Sequence, residues 1–168
     1  MREDILKKLI AVLDNEIELY VQMRNYYVEK KQLLTTNKIL ELSNIDTLIT
    51  ENYEHIKKVD LVRVDTTKLL EEDVPSMTRL IELCQEKNCD EKIINKIIEQ
   101  KEKLSALSSE ITMLNVTNMK LIKHGMIVTD KQLGIIINAC TPKGNSYSDK
   151  GQQLDSSETR ISTIIKDV

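Results

Sequence analysis

The sequence has little of what turns and β-sheets are made from. Its 168 residues include only four Gly and two Pro, and Phe and Trp are absent, so that aromatic residues make up 3% of the chain. An all-β fold needs a turn signal every 8–12 residues or so, and the scarcity of Gly and Pro excludes it. Few turns in a chain of this length predict a small number of long elements around one core.

The sequence also lacks a strong net charge and a long apolar run. Its 24 Lys and Arg nearly balance 27 Asp and Glu, whereas proteins that bind the nucleic-acid backbone have clustered Lys and Arg. No apolar run reaches the roughly 18 residues of a membrane-spanning helix. The N-terminus, Met1-Arg2-Glu3-Asp4, opens an amphipathic helix and not a signal peptide. We therefore expect a cytoplasmic protein without a nucleic-acid partner and without membrane insertion.

Abundant Ile and Leu, 21 and 20 residues, recur at the three- and four-residue spacing of helices. Four helices are predicted: Glu3 to Leu34, Lys38 to Leu70, Pro75 to Glu86, and Asn88 to about Ala139. Asn88 is predicted to be the N-cap of the last one, with Glu91 three residues on. The first two should pack antiparallel because only a short connection joins them. The predicted fold class is all-α, an elongated antiparallel helical bundle or coiled coil.

The composition changes at Thr141. Residues 141–153 include two Gly and one Pro and offer few apolar groups to bury, a pattern typical of a mobile segment. We therefore predict a helical bundle over residues 1–140 and a flexible tail over residues 141–168. Ile161, Ile164 and Ile165 near its end form either a short amphipathic helix or an extended segment, and they could fold back over an apolar groove of the bundle.

The sequence has none of the motifs that carry catalysis. It has no Gly-rich phosphate loop, no HExxH and no GxSxG. Cys84 and Cys89 have no pair of histidines at zinc spacing beside them, and His55 and His124 stand alone on charged stretches. We therefore predict a protein that is not an enzyme and that has no metal and no cofactor.

The fourth helix has a surplus of apolar residues, among them Met113, Met119 and Met126. These methionines either fill the core or form an adaptable groove for the amphipathic helix of another protein. Composition alone leaves both interpretations open.

Two segments resemble motifs of the FlgN family of flagellar export chaperones. Leu114-Asn-Val-Thr-Asn-Met-Lys-Leu-Ile122 is similar to an LNxxNxxLL-like stretch of the family, and Ser146-Tyr-Ser-Asp-Lys-Gly-Gln152 is similar to its YxxxGQ-type tail motif. The first 65 residues are also similar in layout. The resemblance implies a chaperone that keeps the hook-associated junction proteins FlgK and FlgL unassembled and delivers them to the export gate.

The resemblance also implies where the partners bind. The substrate surface would be the second half of the fourth helix, with Asn115, Asn118, Met119, Ile122, Met126, Leu133, Ile136 and Ile137. The tail residues Tyr147, Gly151 and Gln152 would dock onto the gate protein FlhA. Two other classes stay open, a structural coiled-coil dimer and a small helical regulator that sequesters a partner, and so does a homodimer of the free protein.

Overall fold

The computed structural model describes residues 3–70 and 76–140. These residues form four helices, α1 (Glu3–Thr35), α2 (Ile39–Lys68), α3 (Met77–Glu86) and α4 (Glu91–Cys140), and no strand occurs among them. The predicted all-α fold class is confirmed, and the predicted helix ends differ from the observed ones by a few residues.

The chain divides into two compact units, of which the first ends at His124 and the second begins at Gly125. The helix α4 belongs to both, since it is one continuous helix of 50 residues. The predicted tail, residues 141–168, lies outside the described residues. The division predicted at residue 140 therefore stays a prediction.

In the first unit, α2 packs antiparallel to α1, as the short connection predicts. Near the end of α1, Lys30 Nζ lies 2.5 Å from Asp46 Oδ1, early in α2. Half-way along α1, the buried carboxylate of Glu16 pairs with Arg63, whose Nε lies 3.2 Å from Glu16 Oε2. Residue numbers fall along α2 as they rise along α1, which is the antiparallel arrangement.

The helix α4 runs parallel to α1. Gln100 Nε2 donates to the carbonyl oxygen of Ile10 at 3.0 Å, and Asn118 Nδ2 donates to that of Tyr27 at 3.0 Å. The two residues joined by each bond are 90 positions apart in the first case and 91 in the second, so α4 keeps the same alignment with α1 at both points. Since α2 returns the chain to the end where α1 begins, α4 starts there and follows α1 in the same direction.

The core lies where the first halves of α1 and α4 meet α3. Its members are aliphatic side chains and one thiol, each nearly inaccessible to solvent: Leu6, Leu9, Leu13, Leu80, Cys84, Ile93 and Ile97. Leu and Ile interdigitate well between helices, and this packing explains how a chain without Phe and Trp builds a core.

Asparagine takes the place of glycine at two helix ends. Asn37 and Asn88 have φ of 57° and 47°, in the left-handed region that ends a helix with a Schellman motif. In this motif the next residue's N–H closes the helix, and here Cys89 N donates to Cys84 O at 2.9 Å after α3. Asparagine tolerates this conformation better than other non-glycine residues, so a chain with few glycines still turns sharply.

The prediction that Asn88 caps the start of α4 is wrong. The cap is Asp90, whose Oδ1 accepts a hydrogen bond from Lys92 N at 2.9 Å, immediately before α4 begins at Glu91. Asn88 instead lies at the end of α3, where its positive φ is part of the Schellman motif. Both residue types suit both positions, so the sequence pattern alone did not separate them.

Candidate functional site on the second half of α4

Seven of the eight side chains predicted for the substrate surface are exposed. In the first unit these are Asn115, Met119 and Ile122, and in the second unit Met126, Leu133, Ile136 and Ile137. The exception is Asn118, which is 1% exposed and donates to Tyr27 O. Its side chain lies against α1, and the other seven are accessible to a partner.

Two stripes on neighbouring faces of α4 explain this difference. The first stripe continues the core through Ile111, Leu114, Asn118 and Leu121, which are all buried or half-buried. The second stripe starts at Asn115 and follows the first with a shift of one residue, which is about 100° around a helix. The first stripe is bonded to α1 through Asn118, whereas the side chains named for the second stripe are exposed.

Beyond the hydrogen bond between Asn118 and Tyr27, α4 has many more residues left than α1 has. After Tyr27, which is level with Asn118, α1 has eight residues left, whereas α4 has 22 residues left after Asn118. At the same offset of 91 residues, His124, the last residue of the first unit, is level with Leu33, and α1 ends two residues later at Thr35.

The described part of the second unit, residues 125–140, has no buried residue. Its exposed apolar side chains outnumber its charges, which are only Asp130 and Lys131. Leu133 and Ile136 are half or more exposed, and Met126 reaches 63%. A run of large apolar side chains in contact with water marks a site of interaction.

One ion pair of the first unit includes a buried carboxylate, that of Glu16. Burial raises the pKa of the Glu16 carboxyl, since the favourable charge of Arg63 offsets the loss of solvation only in part and Asp60 adds repulsion. Burial likewise raises the pKa of the neighbouring Tyr20. The pair of Glu16 and Arg63 holds α2 against α1.

Cys84, Cys89 and one small cavity lie near the beginning of α1, whereas the third cysteine, Cys140, is the last residue of α4. Burial, with the neighbouring Cys89 thiol, raises the pKa of Cys84 to about 12, so Cys84 is a poor nucleophile. The cavity of about 180 Å³ lies between α1 and the start of α4, beside Glu3, Cys89 and Ile93.

Among residues 3–70 and 76–140, no group of three or more His, Cys, Asp and Glu side chains could hold a metal ion. Within the same ranges, no helix combines the length and the apolar character that a membrane span requires.

Sequence reasoning missed the buried amides that align the helices. Besides Asn118, Asn52 and Gln100 each donate to a backbone carbonyl of α1, Asn52 to Leu19 O at 2.9 Å. The three amide oxygens are buried and have no hydrogen-bond partner among the described residues, so these contacts fix the alignment at some cost in stability. One feature of the sequence could have indicated such a buried amide, namely the position of Gln100 in the apolar stripe of the fourth helix.

The predicted docking residues Tyr147, Gly151 and Gln152 lie outside the described residues. Their role stays a prediction, as does the fold of the segment around Ile161, Ile164 and Ile165.

Comparisons with known proteins identify the family of the chain. The family model described as FlgN protein matches residues 1–155, which include the second half of α4 and the tail motif around Tyr147. The comparison with curated proteins gives no match, and neither does the comparison with solved structures. Because the match covers most of its length, the chain belongs to the FlgN family, which is a family of flagellar export chaperones.

Proposed function

We propose that this flagellar export chaperone is a cytoplasmic protein that binds the hook-associated junction proteins FlgK and FlgL. It keeps them unassembled and delivers them to the export gate, by binding and without catalysis. The observation that carries the proposal is the exposed apolar stripe on α4, in a chain that matches a chaperone family over residues 1–155.

The stripe suits a helical partner. From Asn115 to Ile136 its members are three, four or seven residues apart, which is the spacing with which an amphipathic helix lays its apolar face into a groove. Met119 and Met126 are flexible and polarizable, and they adapt to partners of different shape. A chaperone with two substrates benefits from such a surface.

The tail supplies the second contact in this proposal. Tyr147, with Gly151 and Gln152 after it, docks the loaded chaperone onto the gate protein FlhA. A tyrosine offers a large apolar ring with a polar tip at low cost in side-chain entropy. This contact is separate in sequence from the stripe, so substrate and gate can be bound together.

The test is a calorimetric titration of the chain with peptides from the C-terminal helical segments of FlgK and FlgL. The decisive variant is Met126→Asp, which places a charge in the stripe. The matched control is Met113→Asp on the same helix, because Met113 is similarly exposed, at 71%, and lies about 140° away around the helix.

We expect micromolar or tighter binding, reduced at least tenfold by Met126→Asp and unchanged by Met113→Asp. A tenfold loss corresponds to about 1.4 kcal/mol. Equal losses in both variants would place the partner elsewhere on α4. No binding of either peptide, or of full-length FlgK and FlgL, would refute the proposed substrates.

A further inference from the structure

We propose that Cys84 and Cys89 are a site of reversible oxidation, at which a peroxide joins the two thiols into a disulfide across the end of α3. Both cysteines are free in the structure and belong to the first unit. The proposal goes beyond the proposed function, since it depends on the fold around α3 and on no partner protein.

The Schellman motif at the end of α3 brings the two cysteines together. Cys89 N donates to Cys84 O at 2.9 Å. The second bond of the motif is also present, since Asn88 N donates to Gln85 O at 3.1 Å. The side chains of the two residues that the first bond joins frequently pack against each other in this motif. Here both of these residues are cysteines.

The backbone geometry suits a disulfide. The hydrogen bond of 2.9 Å, with standard bond lengths on each side, keeps the Cα atoms of Cys84 and Cys89 within about 6.8 Å of each other. Cysteines joined by a disulfide have Cα atoms about 4.4–6.8 Å apart. The turn can therefore accept the bond without a movement of the backbone.

The side chains of the two cysteines are also neighbours. Cys84 belongs to the buried core cluster, and Cys89 packs against that cluster. Burial first, and then the charge and the hydrogen bond of the Cys89 thiol, raise the pKa of Cys84 to about 12. The two sulfur atoms therefore already interact in the reduced protein.

Another Schellman motif shows that the turn itself does not require thiols. At the end of α1, Lys38 N donates to Leu33 O at 2.9 Å, and Asn37 has the positive φ. Leucine and lysine there take the two positions that the cysteines take at the end of α3. The cysteine pair is therefore an addition to a turn that closes without it.

A cavity gives a small oxidant access to Cys89. The cavity of about 180 Å³ beside Cys89 is also lined by Glu3, Lys87 and Asp90, which are exposed, so solvent reaches it. A water molecule takes up about 30 Å³ in the liquid, and the cavity thus has room for hydrogen peroxide. Cys84 is 0% exposed. A peroxide therefore reaches Cys89 first, and Cys84 reacts only with Cys89.

The oxidation balances in two steps. The Cys89 thiolate attacks one peroxide oxygen, the O–O bond breaks, and Cys89 becomes a sulfenic acid while the other oxygen leaves as hydroxide and takes up a proton. The Cys84 sulfur then attacks the Cys89 sulfur, the S–O bond breaks, and water leaves with the proton of Cys84. In total the two thiols lose two electrons and two protons, and hydrogen peroxide becomes two molecules of water.

The first step removes an obstacle to the second. Cys84 is a poor nucleophile beside a Cys89 thiol, because burial and that neighbour both raise its pKa. Once Cys89 is a sulfenic acid, the thiolate that would repel a charge on Cys84 is gone. The two sulfur atoms are held in place by the turn, and such placement strongly accelerates a reaction within one molecule.

The disulfide secures the shortest of the four described helices. The helix α3 has ten residues, too few to be stable without packing. A covalent bond across its last turn restricts local opening of α3 away from the core. Reduction by a low-molecular-weight thiol releases it again.

Tryptic peptide mapping after treatment with hydrogen peroxide tests the pairing. A Cys140→Ser chain retains only the two cysteines in question. Trypsin cleaves after Arg79, Lys87 and Lys92, so Cys84 and Cys89 fall on separate peptides, neither of which contains methionine. We expect peptides 80–87 and 88–92 to stay joined in the monomeric protein, and dithiothreitol to separate them.

The matched control is Cys89→Ser in the same background. Its Cys84 should stay reduced under the same treatment, because the peroxide reaches only position 89. Oxidation of Cys84 in this control would overturn the order of the two steps. Conversion of Cys89 to the sulfinic acid beside a reduced Cys84, or disulfides only between chains on a non-reducing gel, would overturn the proposal.

Equilibration with glutathione tests whether the folded turn favours the disulfide. We expect the disulfide to resist reduced glutathione at least tenfold better in the folded protein than in urea. By linkage, a tenfold difference stabilises the oxidised chain by about 1.4 kcal/mol, which raises Tm by about 5 °C. Asn88→Gly should keep this difference, whereas Asn88→Val, which opposes a positive φ, should reduce it. Equal resistance in the folded and the unfolded protein would refute the assigned geometry.

Discussion

Substitution of two isoleucines of α4 tests how much each half of this helix contributes to the stability of the fold. Ile97 is 0% exposed and belongs to the core with Leu13 and Leu80, whereas Ile136 is 57% exposed in the second unit. The same substitution, isoleucine to alanine, removes the same atoms from both positions. Only the surroundings differ, so the two losses of stability measure what each half of α4 contributes to the fold.

The expected losses in the free energy of unfolding differ severalfold between Ile97→Ala and Ile136→Ala. Removing a buried aliphatic side chain of this size typically lowers the free energy of unfolding by about 2–5 kcal/mol, the lost transfer energy plus the cavity that remains. In a domain of this size 1 kcal/mol shifts Tm by roughly 3–4 °C, so a loss of about 3 kcal/mol lowers Tm by about 10 °C. For Ile136→Ala we expect a change within about 0.5 kcal/mol, and alanine's better helix propensity adds a few tenths in its favour.

Thermal and urea unfolding, followed by circular dichroism at 222 nm, measure both variants. The protein should be dilute, because self-association through α4 would stabilise the wild type and not the Ile136 variant. A loss above about 1 kcal/mol for Ile136→Ala in dilute solution would show that residue 136 packs within its own chain, and would refute the exposed stripe. In the peptide titration the order should reverse, since Ile136→Ala removes a contact with the partner and Ile97→Ala does not.

Three further predictions concern the first unit and the exposed Cys140 of the second unit. Because the pKa of Glu16 is raised above its ordinary value near 4.5, the wild type should gain stability relative to Glu16→Gln as the pH falls from 7 to 4.5; urea midpoints that move the opposite way would refute the burial argument. Asn37→Ala should cost about 1 kcal/mol, since alanine lacks the tolerance of asparagine for positive φ, and Asn37→Gly should cost nothing by the same assay. Iodoacetamide at pH 8 should alkylate the exposed Cys140 first and Cys84 only on unfolding, because burial raises the pKa of Cys84 to about 12; equal rates by mass spectrometry would contradict this.

The sequence was informative wherever a single helix decides the structure. The repeats of Leu6, Leu9 and Leu13 show which face of α1 is apolar, and these three side chains do form the core. The antiparallel packing of α1 and α2 followed from the short connection between them. In both cases the information is local, since periodicity and loop length are read from neighbouring residues.

The sequence was less informative where the burial of a residue depends on how two helices pack against each other. Asn115 and Asn118 are three residues apart and equally polar, yet Asn118 is buried against Tyr27 and Asn115 is exposed. Two apolar stripes run side by side on this part of α4, and the alignment of α4 with α1 determines which one is covered. That alignment depends on contacts across 90 residues of chain, which no local pattern contains.

An unpacked helix of residues 125–140 would be marginal on its own, since short isolated helices rarely form in water and β-branched residues such as Ile135 and Ile137 lower helix propensity further. The first unit removes the main obstacle. Residues 91–124 are already helical and held by the core, so the segment after Gly125 needs only propagation, and each added residue gains a hydrogen bond without a new nucleation cost. The stripe is thus presented in the conformation that a helical partner requires, although it has no core beneath it. In the proposed function, stability and binding are therefore carried by different residues of one helix, which leaves the exposed half free to match its partners.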